Sequence, residues 1–246
     1  MEAVICRLLP YAVGDGPFHM AADETLLRSA AQGLASLRFY GWAQATASLG
    51  YFQPHAILAA DPLLKPLPFV RRLSGGATLV HHHELTYCLA LPAQVVAQSA
   101  EPWMPRMHRL IAEAFADLGL AKRLVAVAGS TVKHGDVLCF QQYTPGDLLC
   151  DGFKVVGSAQ RKHHQHLMQH GGILLRRSEH APALPGIREL TGIEIAPEQA
   201  VDVLLNRFRH DTGWEFAAGD WSANERAGID VLIRDKYGSP SWNEKR

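Results

Sequence analysis

Hydrophobic and polar positions along this chain change period several times. Residues 19–32 carry Met20, Leu26 and Leu27 at helical spacing, with acids early in the segment, and predict a first helix. Residues 37–40 and 47–50 are short apolar runs that predict strands. Residues 79–80 and 85–90 predict further strand after a Gly75-Gly76 turn. In residues 105–118, Leu110, Ile111, Ala114, Phe115 and Leu118 fall on one helical face, and Gly119 supplies a stop. Residues 148–150 and 153–156 flank Asp151-Gly152, a dipeptide that signals a tight hairpin when it separates two apolar runs. Lys154 then sits just after a turn. Residues 172–175 predict one more strand.

The pattern changes near residue 185, where Pro182 and Pro185 interrupt it. Pro197 opens a helix whose apolar positions, Val201, Leu204, Leu205 and Phe208, are three and four apart. A second helix is expected over 221–236, with residues 239–246 as a tail. Short strands with helices before, between and after them predict an α+β or mixed α/β fold. The expected organisation is a main unit over 1–185 and a small helical extension over 186–246.

Composition narrows the class. The 246 residues are 48% hydrophobic and 20% charged, with formal net charge zero, as in an ordinary globular protein. No apolar run approaches a membrane span. Residues 1–14 lack the basic start, apolar core and cleavage site of a secretory signal, so the cytoplasm is the expected location. Zero net charge argues for neither nucleic-acid nor membrane binding. Basic pairs at Arg71-Arg72, Lys122-Arg123, Arg161-Lys162 and Arg176-Arg177 suit solvated surface or an acidic protein partner. Cys6, Cys88, Cys139 and Cys150 are scattered and form no disulfide framework.

Two segments carry candidate chemistry. In RRLSGGATLVHHHELTY, residues 71–87, a Gly-Gly turn beside two arginines suits a site where backbone amides and positive charge meet an anion or a polarised carbonyl. In GDLLCDGFKVVGSAQRK, residues 146–162, a lysine on a strand ending in Gly-Ser-Ala suits a reactive amine beside a tight bend. Cys139 lies seven residues earlier and is a candidate lowered-pKa nucleophile. Each has a plainer reading. Most Gly-Gly pairs are only turns, a strand lysine is usually solvated, and a cysteine is usually a small buried hydrophobe. The histidines at 81–83, 163, 164, 166 and 170 are dense. Adjacent strand residues face opposite ways, so a triplet cannot aim three ligands at one ion, and no metal is expected.

Together these segments resemble the lipoate–protein ligase and octanoyltransferase superfamily. Arg71, Arg72, Ser74, Gly75, Gly76 and His81 match its first motif. Lys154, Val155, Gly157, Ser158, Ala159, Gln160 and Arg161 match its second. LMQHGGILL, which contains His170, looks like its next strand. LRFYGWAQATASLGYFQ and MAADETLL resemble its N-terminal strand-turn and first helix. Ala77, where ligases often carry a third glycine, and His82, where many relatives carry aspartate, depart from the pattern.

The resemblance implies a biotin/lipoate-protein-ligase-like α+β catalytic domain. It implies transfer of an octanoyl group from octanoyl-acyl carrier protein to a lysine of a lipoyl-domain protein, such as one of the glycine-cleavage H type. One octanoyltransferase branch has a Cys-Phe pair followed by proline, which Cys139, Phe140 and Pro145 match, so Cys139 is the expected nucleophile. Lys154 is expected to hold the acyl carbonyl and to favour the thiolate. Arg71, Arg72, Ser74, Gly75, Gly76, His81, Gly157, Ser158, Ala159 and His170 are expected around the acyl group. No cofactor is needed on this route. The alternatives are an ATP-dependent lipoate–protein ligase, an amidotransferase acting between lipoyl-domain proteins, and a non-catalytic lipoyl-domain binder.

Overall fold

The structure, a computed structural model, describes residues 3–135 and 137–246. Its strands are β1 (Ile5–Leu8), β2 (Ala12–Gly14), β3 (Ser36–Trp42), β4 (Thr46–Leu49), β5 (Phe69–Arg71), β6 (Leu79–His81) and β7 (Glu84–Leu91). They continue with β8 (Leu124–Ala126), β9 (Val132–Lys133), β10 (Gln142–Tyr143), β11 (Leu148–Cys150), β12 (Phe153–His163), β13 (His166–Leu174) and β14 (Glu215–Ala218). The helices are α1 (Gly16–Ala30), α2 (Ala56–Ala60), α3 (Ala93–Ala97), α4 (Trp103–Phe115), α5 (Ile187–Thr191), α6 (Pro197–Thr212), α7 (Ala223–Leu232) and α8 (Pro240–Asn243).

One large mixed sheet runs β14-β1-β3-β7-β13-β12-β11-β8, with β2 also paired to β3. Strands β3 and β7 are buried along their whole length and β13 along most of it, because both faces of the sheet are covered there. The period of two then sorts their side chains into two cores. Leu85, Tyr87, Leu89 and Leu91 of β7 join Leu110 and Ile111 of α4 and Leu204 and Phe208 of α6 on one face. Cys88 and Ala90 join Leu26 and Leu27 of α1 and Ile229 of α7 on the other. A smaller sheet, β5-β4-β6, has its own cluster around Ala47, Leu49, Leu58 and Val80.

The first helix starts earlier than its apolar spacing suggested. Asp15 caps it by accepting from the Phe18 N–H at 2.9 Å, and Pro17 follows in the first turn. The acids Asp23 and Glu24 are therefore mid-helix and buried, away from the dipole's positive end. The hairpin at Asp151-Gly152 forms as expected, with φ of 48° and 84° at the two residues, the left-handed pair that a tight two-residue turn requires. Beyond it β12 does not stop at Gly-Ser-Ala but continues to His163, and β13 returns from His166. The glycines of these two strands are paired across the hairpin, Gly157 with Gly172 and Ser158 with Gly171.

Residues 186–246 supply α6, which packs on α4, and β14, which pairs in parallel with β1. Glu225 of α7 holds Arg7 at 2.7 Å. The last residues are not a trailing tail. Asn243 of α8 is 8% exposed, its Oδ1 accepts the Arg71 N–H at 2.9 Å, and its carbonyl accepts from the Arg71 guanidinium.

Candidate active site

A cavity of about 300 Å³ opens between the Gly75-Gly76 loop, the β12–β13 hairpin and the short 3₁₀ turn Cys139–Gln141. Ten of the twelve residues singled out in the sequence line it: Arg72, Gly75, Gly76, His81, Cys139, Lys154, Gly157, Ser158, Ala159 and His170. Arg71 and Ser74 do not line it. Met20, Tyr40, Leu79 and Phe140 give it an apolar side. The facing glycines 157, 171 and 172 remove side chains where β12 and β13 border the cavity. A Cβ on Gly157 would come within 2.5 Å of the Lys154 Cε, and one on Gly171 within 2.4 Å of the Ser158 Oγ.

Lys154 is buried, and its Nζ lies 2.6 Å from Asp147 Oδ2 with both side chains 3% exposed. It also donates to the Gln142 carbonyl at 3.0 Å and stands 5.4 Å from the Phe140 ring centroid. Asp147 in turn accepts from the Thr144 N–H at 2.7 Å and its hydroxyl at 2.8 Å. A buried charge needs such partners, because desolvation of a lone ion is costly.

Cys139 is partly exposed, and its N–H donates to the Thr78 carbonyl at 2.8 Å, which fastens its turn to the strand after the glycine loop. The other three cysteines are fully buried. Burial pushes the Cys6 thiol up to about 12, the Cys88 thiol well above its ordinary value, and the Cys150 thiol upward. They are inert packing residues by this measure.

The two arginines divide their work. The Arg71 guanidinium is fully buried and binds the carbonyls of Gly50, Gln53 and Asn243 at 3.0, 2.6 and 2.9 Å, bracing the loop from behind. Arg72 donates to the carbonyls of Ser48, Gly75 and Ala77 at 2.7, 3.0 and 2.7 Å. Burial lowers its pKa to about 10, opposed by the nearby Cys139 sulfur. Arg72 thus fixes two carbonyls of the glycine loop, those of Gly75 and Ala77. Among the described residues, the N–H groups of Gly75, Gly76 and Ala77 have no hydrogen-bond acceptor. Free amides beside a reacting carbonyl are the donors an oxyanion requires.

The histidines of the motifs face inward and are held. His81 Nδ1 pairs with the Glu84 carboxylate, its Nε2 lies 2.7 Å from Ser48 Oγ, and its ring stacks on Trp42 at 3.8 Å. Burial alone would raise the Glu84 carboxyl, but His81 and the His82 N–H hold it below its ordinary value. His170 bridges Asp23 Oδ2 at 3.0 Å and Ser74 Oγ at 2.6 Å, so Ser74 acts through His170. The triplet leaves the strand at His81. His82 and His83 stack at 3.5 Å in a separate cavity, where their ligand atoms and one of Glu179 lie within 4.8 Å of one another. Arg176 lies 3.1 Å from the His83 ring on that side.

Four partners escaped the sequence reading. Asp147, His108, Tyr87 and Asp23 touch lining residues, yet none was singled out as a site residue, although Asp23, Tyr87 and Asp147 lie within the quoted segments. His108 offered a signal, since it sits beside Met107 and among the apolar positions of α4. Asp147 offered none, because its partner comes from across a hairpin.

The catalytic-domain model of the lipoyl protein ligase A/B family matches residues 15–182. The chain belongs to that family. Octanoyltransferase LipM of Geobacillus kaustophilus is 31% identical over 93% of this chain and 94% of its own length. The LipM protein of Anoxybacillus flavithermus is 28% identical with all of both chains covered. Among solved structures, a lipoate-protein ligase A bound with ATP superposes with a TM-score of 0.75 at 18% identity, covering 98% of this chain and 99% of its own. A bi-partite lipoate protein ligase from Thermoplasma acidophilum, solved in work that included its E2 lipoyl domain, gives 0.71 at 17% identity over 99% and 97%. The expected α+β fold is thus the lipoate-protein-ligase fold, and the chain is an acyltransferase. No helix among the described residues is long and apolar enough to cross a membrane.

Proposed function

We propose that this protein transfers an octanoyl group from octanoyl-acyl carrier protein to a lysine of a lipoyl-domain protein, in lipoate biosynthesis, through a thioester on Cys139. Octanoyl transfer is supported by the LipM relatives. The cysteine route is supported by one observation above the others: Cys139, the one cysteine of four that is not buried, shares a cavity with Lys154 and the free amides of the glycine loop.

In this reading the Cys139 thiolate attacks the thioester carbonyl. The oxyanion is received by Lys154 and by the loop amides, and the carrier's thiol leaves. The acceptor lysine then attacks the octanoyl-cysteine, an amide forms and the cysteine is released. Dividing the transfer at sulfur makes each step easier than direct aminolysis. Asp147 keeps Lys154 aimed at the cavity. Arg72 holds the loop amides in place from below, and Arg71 braces the strand that carries them.

A transfer assay with purified octanoyl carrier protein and a lipoyl-domain acceptor tests the reading. Octanoylation should proceed with ATP and magnesium absent, and free octanoate or lipoate should give little product when both are supplied. Robust ATP-dependent transfer of free lipoate, unaffected by Cys139→Ala, would make the protein a ligase instead.

A further inference from the structure

His108 is a buried histidine, 1% exposed, that the steps above do not use. Its Nδ1 lies 2.6 Å from the Gly146 carbonyl, which can only accept, so Nδ1 carries a proton. Its Nε2 lies 2.5 Å from Ser158 Oγ. Burial lowers the His108 pKa, opposed by the Gly146 carbonyl and Asp147 and reinforced by Lys154. The ring is therefore neutral near pH 7, and Nε2 accepts the Ser158 hydroxyl proton. The rest of the chain follows from donor counting. Gln160 Nε2 donates to Gln169 Oε1 at 2.8 Å, and Gln169 Nε2 donates to the Tyr87 hydroxyl at 2.9 Å. Tyr87 then donates to Ser158 Oγ at 2.6 Å. Every bond points toward His108 Nε2, and Ser158 lines the cavity with one lone pair not used in this chain.

The other hydroxyls at the cavity end differently. Tyr40 donates to Asp23, Thr86 to Glu84 and Thr144 to Asp147. Burial would raise the Asp23 and Glu84 carboxyls, but their histidine and arginine partners hold them below ordinary values, which makes them weak bases. Lys154, ion-paired with Asp147, is a donor with no lone pair to offer. Among the described hydroxyls lining the cavity, Ser158 is the one bonded to an imidazole.

We propose that Ser158 and His108 form a proton relay that accepts a proton from the acceptor lysine as it attacks the octanoyl-cysteine. The proposal rests on the thioester reading above. As the C–N bond forms and the C–S bond breaks, the electron pair of the C–S bond leaves on the Cys139 sulfur. A proton passes from the amine nitrogen to Ser158 Oγ while the Ser158 hydroxyl proton passes to His108 Nε2. His108 later returns that proton to solvent. A lysine amine, with a free pKa of about 10.4, holds its protons tightly enough to need such a base. Gly171 keeps the relay intact, since a Cβ there would strike the Ser158 oxygen.

The test separates the two half-reactions. His108→Asn keeps a donor where Nδ1 meets the Gly146 carbonyl but removes the acceptor at Nε2. Ser158→Ala, a smaller change, breaks the relay at its first member. Octanoyl-enzyme is prepared for each and discharged either by the lipoyl-domain lysine or by hydroxylamine, a far weaker base whose adduct loses its proton to water unaided. Both variants should still form the octanoyl-enzyme, and transfer to lysine should fall about 100-fold or more beyond any loss of discharge to hydroxylamine. Equal slowing with both nucleophiles, or no slowing with either, overturns the relay while leaving the thioester reading intact. Absence of any octanoyl adduct on the parent enzyme contradicts the thioester reading and the relay with it.

Discussion

Asp147→Asn removes the charge that balances Lys154 while keeping nearly the same shape. Both side chains are 3% exposed and the ion pair measures 2.6 Å, so the ammonium left behind cannot turn to water. Breaking a buried pair from one side costs about 3–5 kcal/mol. Asparagine still offers an oxygen to the Thr144 N–H and hydroxyl and to the lysine, so a loss near 3 kcal/mol, the low end of that range, is expected. Asp147→Ala also abandons the two Thr144 bonds, each worth about 1 kcal/mol net, and should lose about 4–5 kcal/mol. Lys154→Met replaces the stem without the charge. Combined with Asp147→Asn, it should recover most of the loss, giving a coupling energy of about 2–3 kcal/mol. Urea unfolding of the four proteins, read as midpoint shifts at constant m, measures the cycle. Additive losses in the double variant, or an Asp147→Asn protein within about 0.5 kcal/mol of the parent, would refute the view that this ion pair is a buried, mutually dependent unit. If the pair does aim Lys154, Asp147→Asn should also lower kcat more than it raises KM.

Other expectations follow from the same geometry. Lys154→Ala should cut turnover by about two to three orders of magnitude, the usual effect of losing one oxyanion donor, in a protein that circular dichroism shows to be folded. Iodoacetamide on the native protein should alkylate Cys139 and spare the buried Cys6, Cys88 and Cys150; peptide mass mapping reads the sites, and modification of Cys150 at a similar rate would contradict the burial argument. Burial would raise the Glu225 carboxyl, but Arg7 and Ser29 hold it at about 2, against an ordinary 4.5. Its stabilisation is therefore present above pH 4.5 and lost as pH falls toward 2. Glu225→Gln should flatten the thermal midpoint against pH in that window, and an unchanged slope would remove the Arg7 pair from the account. Arg161, Lys245 and Arg246 gather around the rings of Tyr51, Phe52 and Trp242, so charge reversal at Arg161 should raise the apparent KM for an acidic partner and weaken its salt dependence, whereas salt-independent kinetics would point to apolar docking.

How much of this was legible in the sequence depended on whether a feature was local. The Asp151-Gly152 turn and the α4 stripe as far as Phe115 are set by neighbours in the chain and form as expected, whereas Leu118 falls beyond the end of the helix. The β12–β13 hairpin was underestimated because Gly157 reads as the end of a strand, while Gly171 and Gly172 carry no side chain to mark a face. Only across the pairing do they become the edge of a cavity. The same limit hid Asp147 and His108, whose partners lie across a hairpin and on another layer. Arg71 was legible as a motif position but not as a brace, because its acceptors include Asn243, at the far end of the chain. Ser74 matched its motif too, yet it reaches the cavity only through His170. β14 was invisible because a short edge strand of Glu-Phe-Ala-Ala has no pattern of its own and is recruited by β1.

The central claim is that acyl transfer passes through Cys139, and intact mass of the enzyme after brief incubation with octanoyl carrier protein, without ATP, addresses it most directly. The parent and Cys150→Ala proteins should gain the mass of one octanoyl group, lose it on addition of lipoyl-domain acceptor, and yield an octanoylated acceptor lysine. Cys139→Ala should gain nothing. An adduct that survives Cys139→Ala, or is lost in Cys150→Ala alone, would contradict the account.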